Sequence, residues 1–124
     1  GKDITAKKTW TVSEISKLEC NPSVIYSRFF WHSINKQTEE NLFEWISNMD
    51  KGTLFCLECR SESDLNSYKH FEKNHYRRGI KMDSLIDSIK GCGYDIELGV
   101  KTRGVSIFEK EDPEVIRIIG KKKL

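Results

Sequence analysis

The sequence lacks any apolar run of the roughly 20 residues that a helix needs to cross a membrane. No signal peptide is visible at its start. Internal repeats and low-complexity stretches are also missing. We therefore expect one globular unit without a membrane partner, because 124 residues are enough for a hydrophobic core.

Recognisable catalytic motifs are missing as well. The chain has no His-Glu-x-x-His, no Gly-rich phosphate loop and no Gly-x-Ser-x-Gly. It also lacks the His-x-Glu and Pro-Cys-x-x-Cys signature of zinc deaminases. From these absences we expect a protein that is not an enzyme and that has no small-molecule substrate.

The most informative stretch that is present holds two cysteines and two histidines. Cys56 and Cys59 are followed by His70 and His75, with the spacing Cys-x2-Cys-x10-His-x4-His. Thiolates and imidazoles are the ligands that zinc prefers, and four of them close a tetrahedral site. The spacing therefore predicts a Zn²⁺ centre with these four ligands and no open position for catalysis.

This stretch resembles the C2H2 zinc fingers over residues 55–75. Phe55 and Leu65 stand where that family keeps the apolar residues of its small core. The departure lies in the middle, where ten residues separate the second Cys from the first His instead of the usual twelve. The resemblance implies zinc as a structural staple and an association with nucleic acid.

Positive charge is concentrated in the same region. Residues 56–81 carry six Lys or Arg against four Asp or Glu, and the flanking segments are balanced, so the whole excess of +2 lies here. We predict a basic helix end that contacts the phosphates of DNA or RNA, with a tyrosine that stacks on a base. The alternative is an ordinary solvated helix end. The residues assigned to this surface are Lys69, Lys73, Tyr76, Arg77, Arg78 and Lys81.

Hydrophobic periodicity predicts an α+β fold that begins with three helices. Residues 1–9 are a flexible lead-in, and residues 10–50 form the helical part. The apolar segment 24–34 is interpreted as the central core helix. A third helix over 39–49 shows apolar residues at i, i+3, i+4 and i+7.

The second half of the single domain is expected to embed the finger. Residues 53–79 hold the finger, with a short strand that leads into the first Cys. Residues 80–120 add a helix and a small antiparallel β-sheet. In that sheet, residues 94–100 and 105–108 form a hairpin, and residues 115–119 are the third strand.

Two functional hypotheses follow. The first is a zinc-binding module associated with DNA or RNA. The second is a zinc-stabilised protein interaction domain, which the aromatic run at 29–31 and the exposed strand edges favour. His32 is a further imidazole ligand, a general base, or a core or boundary residue, and we favour the last of these. Cys20 and Cys92 are left as reduced thiols, so we expect an intracellular location, in the nucleus.

Overall fold

The structure is a computed structural model that describes residues 11, 14–15, 23–62, 78–107 and 109–123. Within these ranges the chain alternates between strands and helices, which is the pattern of an α/β fold. The elements in chain order are β1 (Val24–Arg28), a 3₁₀ turn (Trp31–Ser33), α1 (Lys36–Ser47), β2 (Leu54–Arg60), α2 (Met82–Gly91), β3 (Tyr94–Thr102) and β4 (Val115–Lys122).

The strands form one mixed sheet in the order β1-β2-β4-β3. β1 and β2 are parallel, and β4 is antiparallel to both of its neighbours. A parallel pair needs a crossover connection, which α1 supplies here. The last strand of the chain therefore inserts between β2 and β3 and becomes an interior strand.

One face of the sheet is covered by helices. The Trp31 ring centroid lies 5.6 Å from that of Phe55 on β2 and 5.5 Å from that of Phe43 on α1. Gly120 of β4 lies against α2, where an added Cβ would be 3.2 Å from a methyl carbon of Ile89. The hydrophobic core therefore lies between this helix-covered face and the two helices.

We call the opposite side the open face. Because the strands are in register, Tyr26, Cys56, Ile119 and Leu98 form one row across all four strands on this face. The two ends of the row are exposed, Tyr26 at 69% and Leu98 at 38%. Neither α1 nor α2 packs on this side of the sheet.

The segment 24–34 is not the predicted core helix. Val24, Ile25 and Tyr26 begin β1, because β-branched and aromatic side chains suit a strand. The chain then turns through the 3₁₀ segment into α1, whose N-cap is Asn35. The Asn35 side chain accepts a hydrogen bond from the N–H of Thr38 at 2.8 Å and so satisfies one free donor of the helix start.

The predicted α+β fold with three N-terminal helices, an embedded finger and an antiparallel sheet is wrong. The sheet is mixed, with α1 as a crossover between parallel strands. β3 pairs with β4, whereas residues 105–107 are not a strand. The third helix and the helix after residue 80 are confirmed as α1 and α2. The lead-in, most of the first helix and the helix of the finger lie outside the described residues.

In the part of the chain that the structure describes, no helix is both long and apolar enough to span a bilayer. The organisation as a single domain stays a prediction.

Candidate active site

The carboxyl ends of β1 and β2 meet at one edge of the sheet because these strands are parallel. In open α/β sheets, ligands bind outside this edge. A cavity of about 510 Å³ lies there, which is within the range of small-molecule sites. Its lining residues are Arg28, Phe29, Arg60, Ser106, Ile107, Glu111 and Pro113.

Phe29, the residue after β1, has an unusual backbone conformation. Its φ is 52°, a left-handed value that bulky side chains rarely adopt. The N–H of Phe29 donates a hydrogen bond to the carbonyl oxygen of Glu58, with a distance of 2.7 Å between nitrogen and oxygen, and this bond holds the conformation in place. The guanidinium carbons of Arg28 and Arg60 lie 5.3 and 5.9 Å from its ring centroid. A strained aromatic residue between two cations at the strand ends is an arrangement that points to a binding role.

Glu58 of β2 lies buried beneath this edge with 8% of its surface exposed. Its carboxylate accepts hydrogen bonds from Arg28 Nε at 3.2 Å, from Ser106 Oγ at 3.2 Å and from Arg117 Nε. Burial alone would raise the pKa of Glu58. The hydrogen bonds from Arg117 and Arg28, the charge of Arg117 and the Ser106 hydroxyl together outweigh burial and hold the pKa below its usual value. The carboxylate is therefore ionised at neutral pH.

Arg28 and Arg60 supply the positive charge of the cavity. Arg28 uses its Nε for Glu58, and none of the described residues accepts a hydrogen bond from its two terminal amino groups. Arg60 pairs with Glu111 at 3.2 Å on the opposite wall. The cavity thus combines guanidinium donors with the apolar surfaces of Phe29 and Ile107. Such a lining suits a small molecule that has both an apolar body and an anionic or polar group.

His32 lies behind this edge and is only 3% exposed. Its Nδ1 accepts a hydrogen bond from the backbone N–H of Arg60 at 3.1 Å. In the neutral imidazole the proton therefore lies on Nε2. His32 is a buried residue that ties the 3₁₀ turn to the end of β2, in agreement with the interpretation that we favoured from the sequence.

A second charged cluster joins α1 to the chain just before α2. Glu39 in the first turn of α1 accepts hydrogen bonds from Trp31 Nε1 at 2.7 Å and Arg78 Nη2 at 2.9 Å. Arg78 also donates from Nε to the carbonyl oxygen of Ile34 at 2.9 Å. Its side chain is 17% exposed. The guanidinium of Arg78 is therefore engaged in intramolecular contacts.

The prediction of a Zn²⁺ centre is wrong. Cys56 and Cys59 both lie within β2, three positions apart, so their side chains point to opposite faces of the sheet. Cys59 is fully buried among core residues, and burial raises the pKa of its thiol to about 12. Within the described ranges, no three His, Cys, Asp or Glu side chains meet to bind a metal ion. A continuous strand cannot aim two thiolates that are three residues apart at one ion.

The other predicted site residues are dispersed or lie outside the described residues. Lys81 is exposed at the start of α2, near Arg78, on a smaller cavity of about 230 Å³. The structure does not bring it to the edge formed by β1 and β2. The residues outside the described ranges are Lys69, His70, Lys73, His75, Tyr76 and Arg77.

The sequence interpretation missed the residues that line the cavity. Arg28 and Phe29 were assigned to the core helix over residues 24–34. Arg28 lies in β1, Glu58 and Arg60 lie in β2, and Ser106 lies between β3 and β4, so no local spacing marks the whole set. The one available signal was the run Val24-Ile25-Tyr26, a β-branched and aromatic stretch that favours a strand and is followed by charge.

Comparison with solved structures identifies the fold. Over 99% of its length the chain matches the crystal structure of an S-adenosylmethionine-dependent methyltransferase from Clostridium acetobutylicum, with a TM-score of 0.58 and 13% sequence identity. The chain has a methyltransferase-like α/β fold. It spans 63% of the length of that structure. No protein-family model matches the sequence, and no curated protein matches it.

This likeness corrects the functional predictions. The solved structure compared above is that of an S-adenosylmethionine-dependent methyltransferase, which is an enzyme. The prediction of a zinc finger that binds nucleic acid is therefore wrong, and so is its alternative, a zinc-stabilised interaction domain. The expectation that the chain is not an enzyme is also wrong. What the protein binds and where it is located stay predictions.

The described residues do not fit S-adenosylmethionine by themselves. Nucleotide cofactors in such sheets are approached by a glycine-rich turn between a strand and a helix. The turn after β1 instead carries Phe29, Phe30 and Trp31, whose side chains prevent a close approach of the backbone. The Gly91-Cys92-Gly93 sequence lies between a helix and a strand, which is the reverse order. The cofactor therefore requires groups beyond those described.

Proposed function

We propose that this chain forms the acceptor-binding part of an S-adenosylmethionine-dependent methyltransferase. The observation that carries the proposal is the cavity of about 510 Å³ at the carboxyl ends of β1 and β2, in a fold similar to such an enzyme. Sites of open α/β sheets lie at this edge, and the volume of the cavity is within the range of small-molecule sites.

Two lining residues of the cavity, and the carboxylate beneath them, have distinct roles in this proposal. Phe29 offers a ring face to the apolar body of the acceptor. Arg28 binds its anionic or polar group through the two terminal amino groups that the ion pair with Glu58 leaves available. Glu58 orients that guanidinium, and its ionised state keeps Arg28 and Arg117 in place. These residues position the acceptor, and no proton transfer is assigned to them.

Methyl transfer from tritiated S-adenosylmethionine tests the proposal. Extracts of cells that make the protein are compared with extracts that lack it, and label is followed into small molecules and proteins. We expect a labelled product that depends on the protein. The Phe29→Ala, Arg28→Ala double variant is expected to lower its formation by about tenfold or more, in line with the loss of substrate-positioning groups.

The matched control is Lys51→Ala, an exposed cation at the opposite end of the sheet, before β2. This variant is expected to retain the wild-type rate. Equal product formation with and without the protein would refute the proposed function. Equal rates in the double variant and the wild type would refute the placement of the acceptor in this cavity.

A further inference from the structure

The cavity of about 510 Å³ has a small excess of positive charge among its described lining residues. Its two cations are Arg28 and Arg60, and its one carboxylate is Glu111. Beneath the lining, Glu58 and Arg117 form an ion pair whose charges cancel. A ligand with a single negative charge would therefore neutralise the cavity, whereas a neutral ligand would leave one positive charge without compensation.

Glu111 reaches the cavity from the segment between β3 and β4. Its Oε2 lies 3.2 Å from Nη2 of Arg60. The side chain of Arg60 is 18% exposed and that of Glu111 is 46% exposed, so the carboxylate approaches a mostly buried guanidinium from the solvent side. An ion pair with such an exposed member contributes little to folding. Glu111 therefore lowers the positive charge of the cavity by one unit and can be replaced without loss of the fold.

Arg28 has the donors that a negatively charged ligand needs. Its Nε donates to Glu58 at 3.2 Å, and none of the described residues accepts a hydrogen bond from its two terminal amino groups. The two amino groups of a guanidinium lie in one plane and match the two oxygens of a carboxylate. The hydrogen bond to Glu58 fixes the direction of that plane. Arg28 is therefore oriented to anchor a carboxylate.

An apolar surface lies directly beside this anchor. The guanidinium carbon of Arg28 is 5.3 Å from the centroid of the Phe29 ring. Ile107, on the segment between β3 and β4, also lines the cavity and is 64% exposed. Covering such side chains is favourable because it removes apolar surface from water. The ligand that satisfies both parts is an acid whose apolar body is joined to its carboxylate by a short link.

We propose that the cavity selects a small apolar carboxylic acid with one negative charge, and that Glu111 sets this preference by disfavouring dianions. The carboxylate pairs with Arg28, and the apolar body covers Phe29 and Ile107. A dianion such as a phosphate monoester would leave a net negative charge beside Glu111 and would lose more hydration on entry. The carboxylate is the anchor, and no methyl transfer to it is proposed. That the acid is the methyl acceptor rests on the proposed function, but its binding does not.

Calorimetry with probes of matched shape tests the preference. The probes are phenylacetate, its neutral amide and benzyl phosphate, and a fourth is an N-acetylated tripeptide that ends in phenylalanine, since a chain end offers the same carboxylate and ring. A pH of about 7.5 keeps the phosphate a dianion, because its second pKa is about 6. The wild type is expected to bind phenylacetate at least about tenfold more tightly than each of the other three.

Glu111→Gln tests the role assigned to that carboxylate. An interaction between partly exposed charges changes a binding constant by up to about fivefold, and a dianion feels it twice. The variant is therefore expected to strengthen benzyl phosphate relative to phenylacetate by about fivefold. Glu44→Gln removes the same charge at an exposed position of α1 and should leave this ratio unchanged.

Arg28→Gln tests the anchor. This variant is expected to weaken phenylacetate by at least about tenfold, so that the acid and its amide bind alike. Lys51→Gln removes an equal charge at the opposite end of the sheet and should preserve the difference between the two probes.

Several results would overturn the preference. It is wrong if the amide or the phosphate binds the wild type as tightly as phenylacetate, or if no probe binds. Tighter binding of the tripeptide refutes the assignment to a small acid, and an unchanged ratio in Glu111→Gln refutes the role of that residue. Binding of phenylacetate without any methyl transfer in the tritium assay supports the preference and refutes the proposed function. A labelled product that lacks a carboxylate supports the proposed function and refutes the preference.

Discussion

Replacing Glu58 by glutamine removes the charge from the centre of the network beneath the cavity and retains the shape of the side chain. The wild-type carboxylate accepts hydrogen bonds from Arg28, Ser106 and Arg117 while it is 8% exposed. The glutamine amide keeps one acceptor oxygen and turns a donor toward a guanidinium. At least one charged hydrogen bond is therefore lost, and a repulsive contact replaces it.

The expected cost follows from the exposure of the partners. A hydrogen bond to a charged group contributes roughly 1.5–3 kcal/mol, and breaking a fully buried ion pair costs roughly 3–5 kcal/mol. The side chains of Arg28 and Arg117 are 56% and 38% exposed, so water partly replaces the lost contact. We expect Glu58→Gln to lower the free energy of unfolding by about 2–3 kcal/mol at neutral pH.

Urea unfolding followed by circular dichroism measures this cost at several pH values. The pKa of Glu58 in the folded protein is below its usual value of 4.5, so its contribution is fully present above that value. The contribution is lost as the pH falls through the folded-state pKa, because the protonated wild-type carboxyl then resembles the glutamine. The difference between the two proteins should therefore shrink as the pH falls below 4.5.

Glu111→Gln is the matched control. Glu111 also pairs with an arginine at 3.2 Å, but its side chain is 46% exposed. An exposed ion pair contributes at most about 1 kcal/mol, so the control should unfold nearly like the wild type. Equal costs for the two variants, or a cost of Glu58→Gln that does not change with pH, would refute the account of the network.

Two further predictions concern packing within the sheet. Cys59→Ala should lower the free energy of unfolding by about 1–3 kcal/mol, because it leaves a cavity in the core. Cys56→Ala on the open face should cost less than about 1 kcal/mol. Equal costs in urea unfolding would contradict the assignment of the two thiols to opposite faces. Gly120→Ala should destabilise by about 1–3 kcal/mol, because its Cβ would be 3.2 Å from Ile89 and 3.3 Å from Tyr94. Gly91→Ala, with nothing within 4 Å, should be neutral or slightly stabilising, and thermal unfolding of the pair checks the contrast.

Local patterns predicted the two helices that the structure describes. The apolar residues of α1 and α2 recur at the helical period. The strand at Tyr94 was equally visible, since its apolar and polar residues alternate. These features depend on neighbours within about four residues, and the sequence alone contains that information.

Two local patterns misled the interpretation. The segment from Val24 to Ile34 is mostly apolar, and periodicity cannot distinguish a buried strand from a buried helix in such a run. Cys56 and Cys59 have the spacing of a zinc knuckle, but that spacing brings two thiols together only on a tight turn. In β2, pairing with strands on both sides keeps the backbone extended and separates the thiols.

The sequence by itself determined the positions of α1 and α2 and which of their residues enter a core, because those choices follow from short-range periodicity. Only the tertiary structure decided that β4 inserts between β2 and β3, and this insertion places Arg117 beside Glu58 although 59 positions separate them. The parallel pairing of β1 with β2 likewise brings Arg28 to the same carboxylate. Contacts at such separations depend on strand order and register, which are properties of the whole sheet.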